Sequence, residues 1–413
     1  MKTFRELYEN AIRLAIEGDF DSILLDAEYD KGHLDCLLHP EKHPLVIRTG
    51  PCDCTREEQA ECARNCPFGA IESLPEGGVS IDPNLCLGCH YCIDACKREN
   101  LTANSDVYRA LMAVRQAKGL TYALIAPAFL GQFSDRVTPG RLRTALKAVG
   151  FDGMIEVALF ADILTLKEAL EFDRNIQKEG DYQLTSCCCP MWIAMIRKIY
   201  SQLIPHVPGS VSPMVATGRA IKVLYANAIT VFIGPCLAKK AEAREGDLVG
   251  AVDYVLTFQE MASIFRLLGI VPDDMEESDK EHSSRAGRIY ARAGGVSEAV
   301  RDTVARFNPD RPIQVKTVKA DGVPACKLMI NDILSGSVRG NFYEGMGCVG
   351  GCVGGPRRVV PTAEGARHVN QYGEESPYKT PAENPYVIEL LRRLGYNEIE
   401  DLLQNSDIFT RAL

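Results

Sequence analysis

The sequence predicts an α/β protein, with parallel sheets flanked by helices, joined to a small α+β unit near its N-terminus. Three observations carry this. From about residue 119 to about residue 335, short apolar runs alternate with helix-like stretches, the pattern of buried strands joined by crossover helices. Two of the strand candidates run directly into Cys-bearing loops, and ligands of parallel sheets gather at the carboxyl ends of strands. Residues 46–100 are turn-rich, hold eight Cys and offer few apolar residues, so a unit there relies on metal to fold.

The elements follow in order. Residues 1–45 are predicted as a helical lead-in: MKTFRELYENAIRLAIEGDF has amphipathic spacing. It lacks the apolar core and small-residue cleavage site of a signal peptide, which points to a cytoplasmic location. Residues 46–105 form the Cys-dense domain, and residues 119–365 the larger α/β domain. In the latter, TYALIAPAF is the first strand candidate and TPGRLRTALKAVG a helix with Pro and Gly near its ends. GMIEVALF is the next strand and ADILTLKEALEFDRNIQKEG a long helix. YQLTS is a short strand entering a Cys loop, and PMWIAMIRKIYSQLI a helix with Pro190 in its first turn. AITVFIGP is a strand that again delivers a Cys. Residues 270–289 are polar and read as a surface insertion or long loop. Residues 366–413 form a helical tail.

Composition narrows the function classes. A chain of 413 residues exceeds one ordinary core. No apolar run is long enough to span a membrane. A net charge of −9, with one Trp and no long basic run, makes a poor nucleic-acid binder. Sixteen Cys is the outstanding number. In a reducing compartment, clustered cysteines bind metal or do redox chemistry rather than form disulfides. Cys36 and Cys326 stand apart and read as ordinary buried thiols.

Cys86, Cys89, Cys92 and Cys96 make C-x2-C-x2-C-x3-C, a spacing that wraps a short loop around an iron–sulfur cubane. Cys62-x3-Cys66-Pro67 fits the same pattern, whereas Cys52 and Cys54 are irregular and are followed by the intervening stretch TREEQAE. The unit resembles a two-cluster bacterial ferredoxin with an altered first loop. The resemblance implies two [4Fe-4S] clusters with swapped ligation: Cys52, Cys54, Cys62 and Cys96 on one, and Cys66, Cys86, Cys89 and Cys92 on the other. Four Cys also suit tetrahedral zinc, but two interleaved C-x3-C ends favour iron–sulfur. His90, inside the motif, reads as a solvated or packing residue rather than a ligand.

Three downstream segments carry the remaining chemistry: Thr185-Ser186-Cys187-Cys188-Cys189-Pro190-Met191-Trp192, Phe232-Ile233-Gly234-Pro235-Cys236-Leu237-Ala238-Lys239-Lys240-Ala241-Glu242, and Glu344-Gly345-Met346-Gly347-Cys348-Val349-Gly350-Gly351-Cys352-Val353-Gly354-Gly355-Pro356. Each offers soft thiolates suited to iron. The third is Gly-rich, so its backbone can approach a bulky cofactor closely. Lys239 can present a cation to anionic ligands on a metal. The plainer alternative is a third structural cubane with incidental lysines.

Taken in order, these segments resemble the three signature loops of the iron-only, or [FeFe], hydrogenase family, and the likeness spans about residues 50–360. The triple-Cys loop looks like the subgroup often called group B. The resemblance implies a two-lobed catalytic domain holding a cubane joined through a Cys thiolate to a di-iron unit with CO, cyanide and a bridging dithiolate, together the H-cluster. It implies Cys189, Cys236, Cys348 and Cys352 as cubane ligands, with Cys352 as the bridge. It places Lys239 on a cyanide, Met346 beside the di-iron unit, and Ala126 and Pro127 in the loop that closes over it. The proton donor is the Cys preceding the first-loop ligand. Alignment on Pro190 makes that Cys188, with Cys189 as ligand. Alignment on Thr185-Ser186 gives Cys187 and Cys188 instead. The Pro anchor is preferred because Pro190 fixes where the next helix starts. Glu168 and Glu171, three apart on a predicted helix, match the family's proton-passing glutamates, against the reading of a solvated acidic face. Glu242 also matches a family position.

The sequence departs from the family pattern in places. Gly234 stands where Met is usual, Ala238 where a Ser often donates to a cyanide, and Met214 where Gln is frequent. The Ser that links the two glutamates aligns with Pro208, with Ser210 nearby. These changes predict a loosely sheltered cofactor and an altered proton route. The implied activity is 2 H⁺ + 2 e⁻ ⇌ H₂, with a ferredoxin or similar carrier as electron partner and maturation proteins supplying the di-iron unit. A hydrogen sensor is a second reading. A non-catalytic iron–sulfur protein, like the eukaryotic hydrogenase-like proteins of cluster assembly, is a third; those lack an intact first loop and the lysine. A plain electron-transfer module is a fourth.

Overall fold

The computed structural model describes residues 2–413 except 26, 27, 76, 186, 187, 279–281 and 405. Two parallel sheets dominate it. The four-stranded sheet runs in the order Gly153–Glu156, Thr121–Ile125, Ile229–Gly234, Tyr254–Thr257, with every pairing parallel. The three-stranded sheet runs Thr317–Asp321, Phe342–Met346, Gln183–Leu184, also parallel. Each sheet has its own buried apolar core, so the α/β domain has two lobes, as the fold class predicted. Purely parallel strands need cover on both faces, which is why they read as continuous apolar runs.

The helix Ala158–Asn175 joins the lobes. Ile163, Leu164 and Leu166 pack into one core while Ala161, Ala169 and Phe172 pack into the other. A helix buried on all sides has no polar face, and its charged residues Lys167, Glu168 and Glu171 are buried as well. The strand before it is shorter than GMIEVALF suggests. Val157 already has helical φ and ψ, and its carbonyl accepts from the N–H of Phe160 and Ala161, so Ala158, Leu159 and Phe160 belong to the helix.

The polar segment 270–289 is not a surface loop throughout. Ser283, Ser284, Ala286, Arg288 and Ile289 are buried, which corrects the reading for its second half. The cause is Asp162, whose carboxylate accepts from Ser284 N at 2.6 Å, the Ser284 hydroxyl at 2.5 Å and Gly287 N at 2.8 Å. Polarity there serves an internal hydrogen-bond network rather than water.

The N-terminal segment is helical at Phe4–Glu17, Ser22–Leu25 and Lys31–Leu38. Thr3 and Glu6 form a capping box on the first helix, and Gly18 ends it in the left-handed region. The Cys-dense unit is α+β. Val46–Arg48 pairs antiparallel with Leu101–Ala103, and Ile71–Ser73 with Val79–Ile81, alongside helices Arg56–Asn65 and Tyr91–Ala95. Its small core includes Leu237 from the second Cys loop. Gly88 makes that contact close: its φ is +65°, and a Cβ there would stand 2.9 Å from Leu237 Cγ. The unit is thus seated directly on the loop that carries Cys236. At the other end of the chain, helices Thr362–Glu374 and Pro385–Arg393 lead to a terminal stretch that lies against residues 209–211.

Candidate metal centre between the sheets

The carboxyl ends of five parallel strands meet at one pocket. Thr121–Ile125 delivers Ala126 and Pro127, Gly153–Glu156 delivers Val157, and Ile229–Gly234 delivers Pro235 and Cys236. Phe342–Met346 delivers Met346, Gly347 and Cys348, while Gln183–Leu184 leads to Cys188 and Cys189. The pocket has an empty volume of about 720 Å³, and Cys352 and Lys239 complete its chemistry. A strand end offers ligands from a rigid base, and the two sheets bring thiols from three separate loops to one place.

Packing explains how the loops are held. Gly347 N donates to Cys189 Sγ at 3.2 Å, joining the first and third loops. Trp192 donates its indole N–H to Thr185 O at 3.1 Å. Its ring lies against Gly345, where a Cβ would stand 2.1 Å from Trp192 Cε3. Only a glycine admits that contact, and it fixes the helix Pro190–Lys198 against strand Phe342–Met346. Glu344 is fully buried and accepts from Gly294 N at 2.6 Å and from Ser297 N and Oγ at 2.7 Å. This ties the third loop to the start of helix Gly295–Phe307.

The thiols are placed in a setting that disfavours the free thiolate. Burial, then the neighbouring Cys189, pushes Cys236 up to about 11. Burial and Cys236 push Cys352 up to about 12, and Cys348 also rises well above the usual range through burial and Cys236. Each of these sulfurs feels Cys189, so the four stand together. Among the described residues no cysteine is in a disulfide. Buried thiols of this kind keep their protons unless a metal displaces them. A soft four-sulfur donor set in an apolar pocket fits an iron–sulfur group.

Lys239 lies at the pocket, with Nζ 2.6 Å from Glu242 Oε2, and both side chains are buried. Burial pulls the ammonium down, but Glu242, followed by Cys236 and Cys352, holds it above its ordinary value. Lys240, next in the chain, faces away and pairs with Glu260 at 3.1 Å.

The predicted residues sort as follows. Ala126, Pro127, Cys188, Cys189, Cys236, Lys239, Met346, Cys348 and Cys352 all line the pocket. Glu168, Glu171 and Glu242 do not line it but are buried nearby on helices Ala158–Asn175 and Ala238–Ala243, which rules out a solvated acidic face for Glu168 and Glu171. Cys187, the alternative proton donor, lies outside the described residues. The N-terminal cysteines have these sulfur neighbours. Cys62 feels Cys96 and Cys52, and the Cys54 thiol hydrogen-bonds with Cys52. Cys89 and Cys92 feel Cys66 and Cys86. The second group adjoins the pocket, since Cys348 also feels Cys89. His90 Nδ1 pairs with Asp94 Oδ1 at 2.9 Å.

Several pocket residues carried no motif. Ala161, Pro213 and the adjacent Tyr290 and Ala291 reach the pocket from three places in the chain, and no spacing in the sequence links them. Phe232 bears on the departure at Gly234. A Cβ at residue 234 would meet Phe232 Cε1 at 2.7 Å and Ala126 Cβ at 3.0 Å. The aromatic ring stands where a larger side chain at 234 would begin, so the pocket wall there is filled.

Fold and site together define a protein whose clustered cysteines, suited to metal, meet at the ends of two parallel sheets. The sequence model for the iron only hydrogenase large subunit, C-terminal domain, matches residues 120–356, more than half of the chain. The chain belongs to the iron-only hydrogenase family. It is 28% identical over 256 residues to iron hydrogenase 1 of Clostridium pasteurianum, covering 52% of this chain but 45% of that one. It is 25% identical over 435 residues to the NADP-reducing hydrogenase subunit HndD of Solidesulfovibrio fructosivorans, covering 89% and 74%. A solved structure of the [FeFe]-hydrogenase HydA1 of Chlamydomonas reinhardtii superposes with a TM-score of 0.60 at 21% identity, covering 72% of this chain and 97% of that one. That superposition speaks to the fold. No described helix is long and apolar enough to cross a membrane.

Proposed function

We propose that this chain is an iron-only hydrogenase that interconverts protons, electrons and H₂. The observation that carries the reading is the convergence of Cys189, Cys236, Cys348 and Cys352 with Lys239 on one buried pocket. In this reading the four thiolates would hold a cubane, with Cys352 the ligand on the side of a di-iron unit that would supply the two-electron reduction of protons. Lys239 binds an anionic ligand of that unit. Glu242 keeps Lys239 charged and aimed. Ala126, Pro127 and Met346 exclude water from the reacting face. Cys188, which lines the pocket, carries the proton to and from it, with Glu168 and Glu171 behind it in the core. A thiol suits that task because its pKa responds strongly to its surroundings.

Two [4Fe-4S] clusters would supply the electron path in this reading. Cys66, Cys86, Cys89 and Cys92 would hold the inner one, beside the pocket, and Cys52, Cys54, Cys62 and Cys96, whose thiols are partly exposed, the outer one. A ferredoxin-type carrier is the partner that fits, and maturation proteins deliver the di-iron unit. The test is infrared spectroscopy of the matured protein. CO and cyanide stretching bands, together with hydrogen evolution from a reduced low-potential donor, are expected. Matured protein without those bands would sink the reading.

A further inference from the structure

We propose that Lys167 is a positioning residue of the proton route, clamping one carboxylate oxygen of Glu171 and the hydroxyl of Ser210 so that the other oxygen of Glu171 stays open to carry protons. The inference rests on the hydrogenase reading above and concerns the outer end of its proton path.

Lys167 lies in the helix shared by both lobes and is 3% exposed. Its Nζ donates to Glu171 Oε1, one helical turn on, and to Ser210 Oγ at 2.8 Å. A buried ammonium persists only when paired, so Lys167 and Glu171 are fixed as a unit. Glu171 Oε2 is buried and has no hydrogen-bond partner among the described residues. A carboxylate with one oxygen held and the other open is oriented but not saturated, which is what a proton shuttle needs. Burial pushes Glu171 up, and Lys167, followed by Arg174, opposes it. Glu168 is three residues before Glu171, on the same side of the helix and equally buried.

Ser210 is placed by the far end of the chain. Val211 N donates to Phe409 O at 3.1 Å and Arg411 N to Gly209 O at 3.1 Å, and Ser210 bridges to Thr410. Gly209 lets the two segments close, because a Cβ there would stand 2.7 Å from Arg411 O. The Arg411 guanidinium is anchored by Glu245 at 2.6 Å and Asp247 at 3.0 Å. The last residues thus act as a strap that presents the Ser210 hydroxyl to Lys167. The sequence has Pro208 where a linking Ser is expected, and the nearby hydroxyl meets an ammonium instead of bridging two carboxylates directly.

The test uses the full-length protein carrying its iron–sulfur clusters, first without the di-iron unit. Infrared spectra at neutral pH read the C=O stretch of a protonated buried carboxyl, assigned to Glu171 by its loss when Glu171→Gln is added to Lys167→Met. The band is expected to be absent in the unaltered protein, to appear in Lys167→Met, and to be absent again in Lys167→Arg. After maturation, Lys167→Met should keep the CO and cyanide pattern. Its hydrogen evolution should fall about tenfold or more with a larger solvent deuterium isotope effect, and Lys167→Arg should recover most of the rate. Ser210→Ala, which removes a single hydroxyl, should shift the same readouts in the same direction by less, and serves if Lys167→Met fails to fold. An unchanged carboxyl spectrum, or an unchanged rate and isotope effect, overturns the proposal. Absence of CO and cyanide bands in the unaltered matured protein overturns the hydrogenase reading instead, and the carboxyl spectrum still decides whether Lys167 sets the state of Glu171.

Discussion

Lys239 and Glu242 form a buried ion pair, Nζ to Oε2 at 2.6 Å, three residues apart beside the pocket. The pair presents a charged ammonium where water is scarce, and the ammonium depends on its partner. Glu242→Ala leaves the lysine buried and unpaired, a change that destabilises by about 3 kcal/mol or more. The double change Lys239→Met with Glu242→Leu removes both charges and should recover most of that loss. Chemical denaturation of the cluster-loaded variants measures both.

If the pocket cysteines hold a cubane as proposed, Cys348→Ser should remove its iron while leaving the iron of the N-terminal cysteines in place. Cys326→Ala should leave iron content unchanged, although Cys326 is buried close by with its Sγ 3.3 Å from Met346 O. Iron analysis with electron paramagnetic resonance of the reduced protein separates the two. Loss of iron in Cys326→Ala would show that a reserve thiol had been mistaken for a packing one.

Gly234→Met should be destabilising by about 1–3 kcal/mol through overpacking, since the added Cβ would begin 2.7 Å from Phe232 Cε1. Phe232→Ala in the same chain should relieve most of the effect. A thermal midpoint that is unchanged in Gly234→Met would mean that the Phe232 ring does not fill this wall.

Asp162 gives a pH signature. It is wholly buried, and burial outweighs the Ser284, Gly287 and Asn384 donors, so its carboxyl rises from 3.8 to about 6. The folded state then holds a proton that the unfolded state has released. Its contribution to stability is full below pH 4 and is lost as pH rises through 6, by about 3 kcal/mol. Asp162→Asn should flatten that part of the stability profile relative to the unaltered protein. Parallel slopes in the two proteins between pH 4.5 and 6.5 would contradict it.

How much was legible beforehand differs between elements. The strands Thr121–Ile125 and Ile229–Gly234 were readable because a parallel strand covered on both faces must be apolar throughout. The boundary at Glu156 was not, because Ala158, Leu159 and Phe160 are equally apolar and periodicity alone does not separate a buried strand from a buried helix. The segment 283–289 was misread because its polar residues satisfy Asp162 inside the fold, and sequence polarity does not say whether the partner is water or protein.

The site divides in the same way. Cysteine spacing by itself determined which thiols belong to short loops, and three such loops in order marked the family, because thiolate ligation of iron demands a residue type that chance rarely clusters. The charge pattern showed Glu168 and Glu171 sharing a helix face, but not that the face is buried, nor that Lys167 clamps one of them. Only the tertiary structure decided that Phe232 backs Gly234, that Tyr290 and Ala291 complete the pocket, and that residues 409–411 hold Ser210 in place. Apart from Phe232 and Gly234, which share one strand, these contacts join residues tens or hundreds of positions apart. Their geometry is set by how two sheets pack around one helix, and local patterning carries no record of that packing.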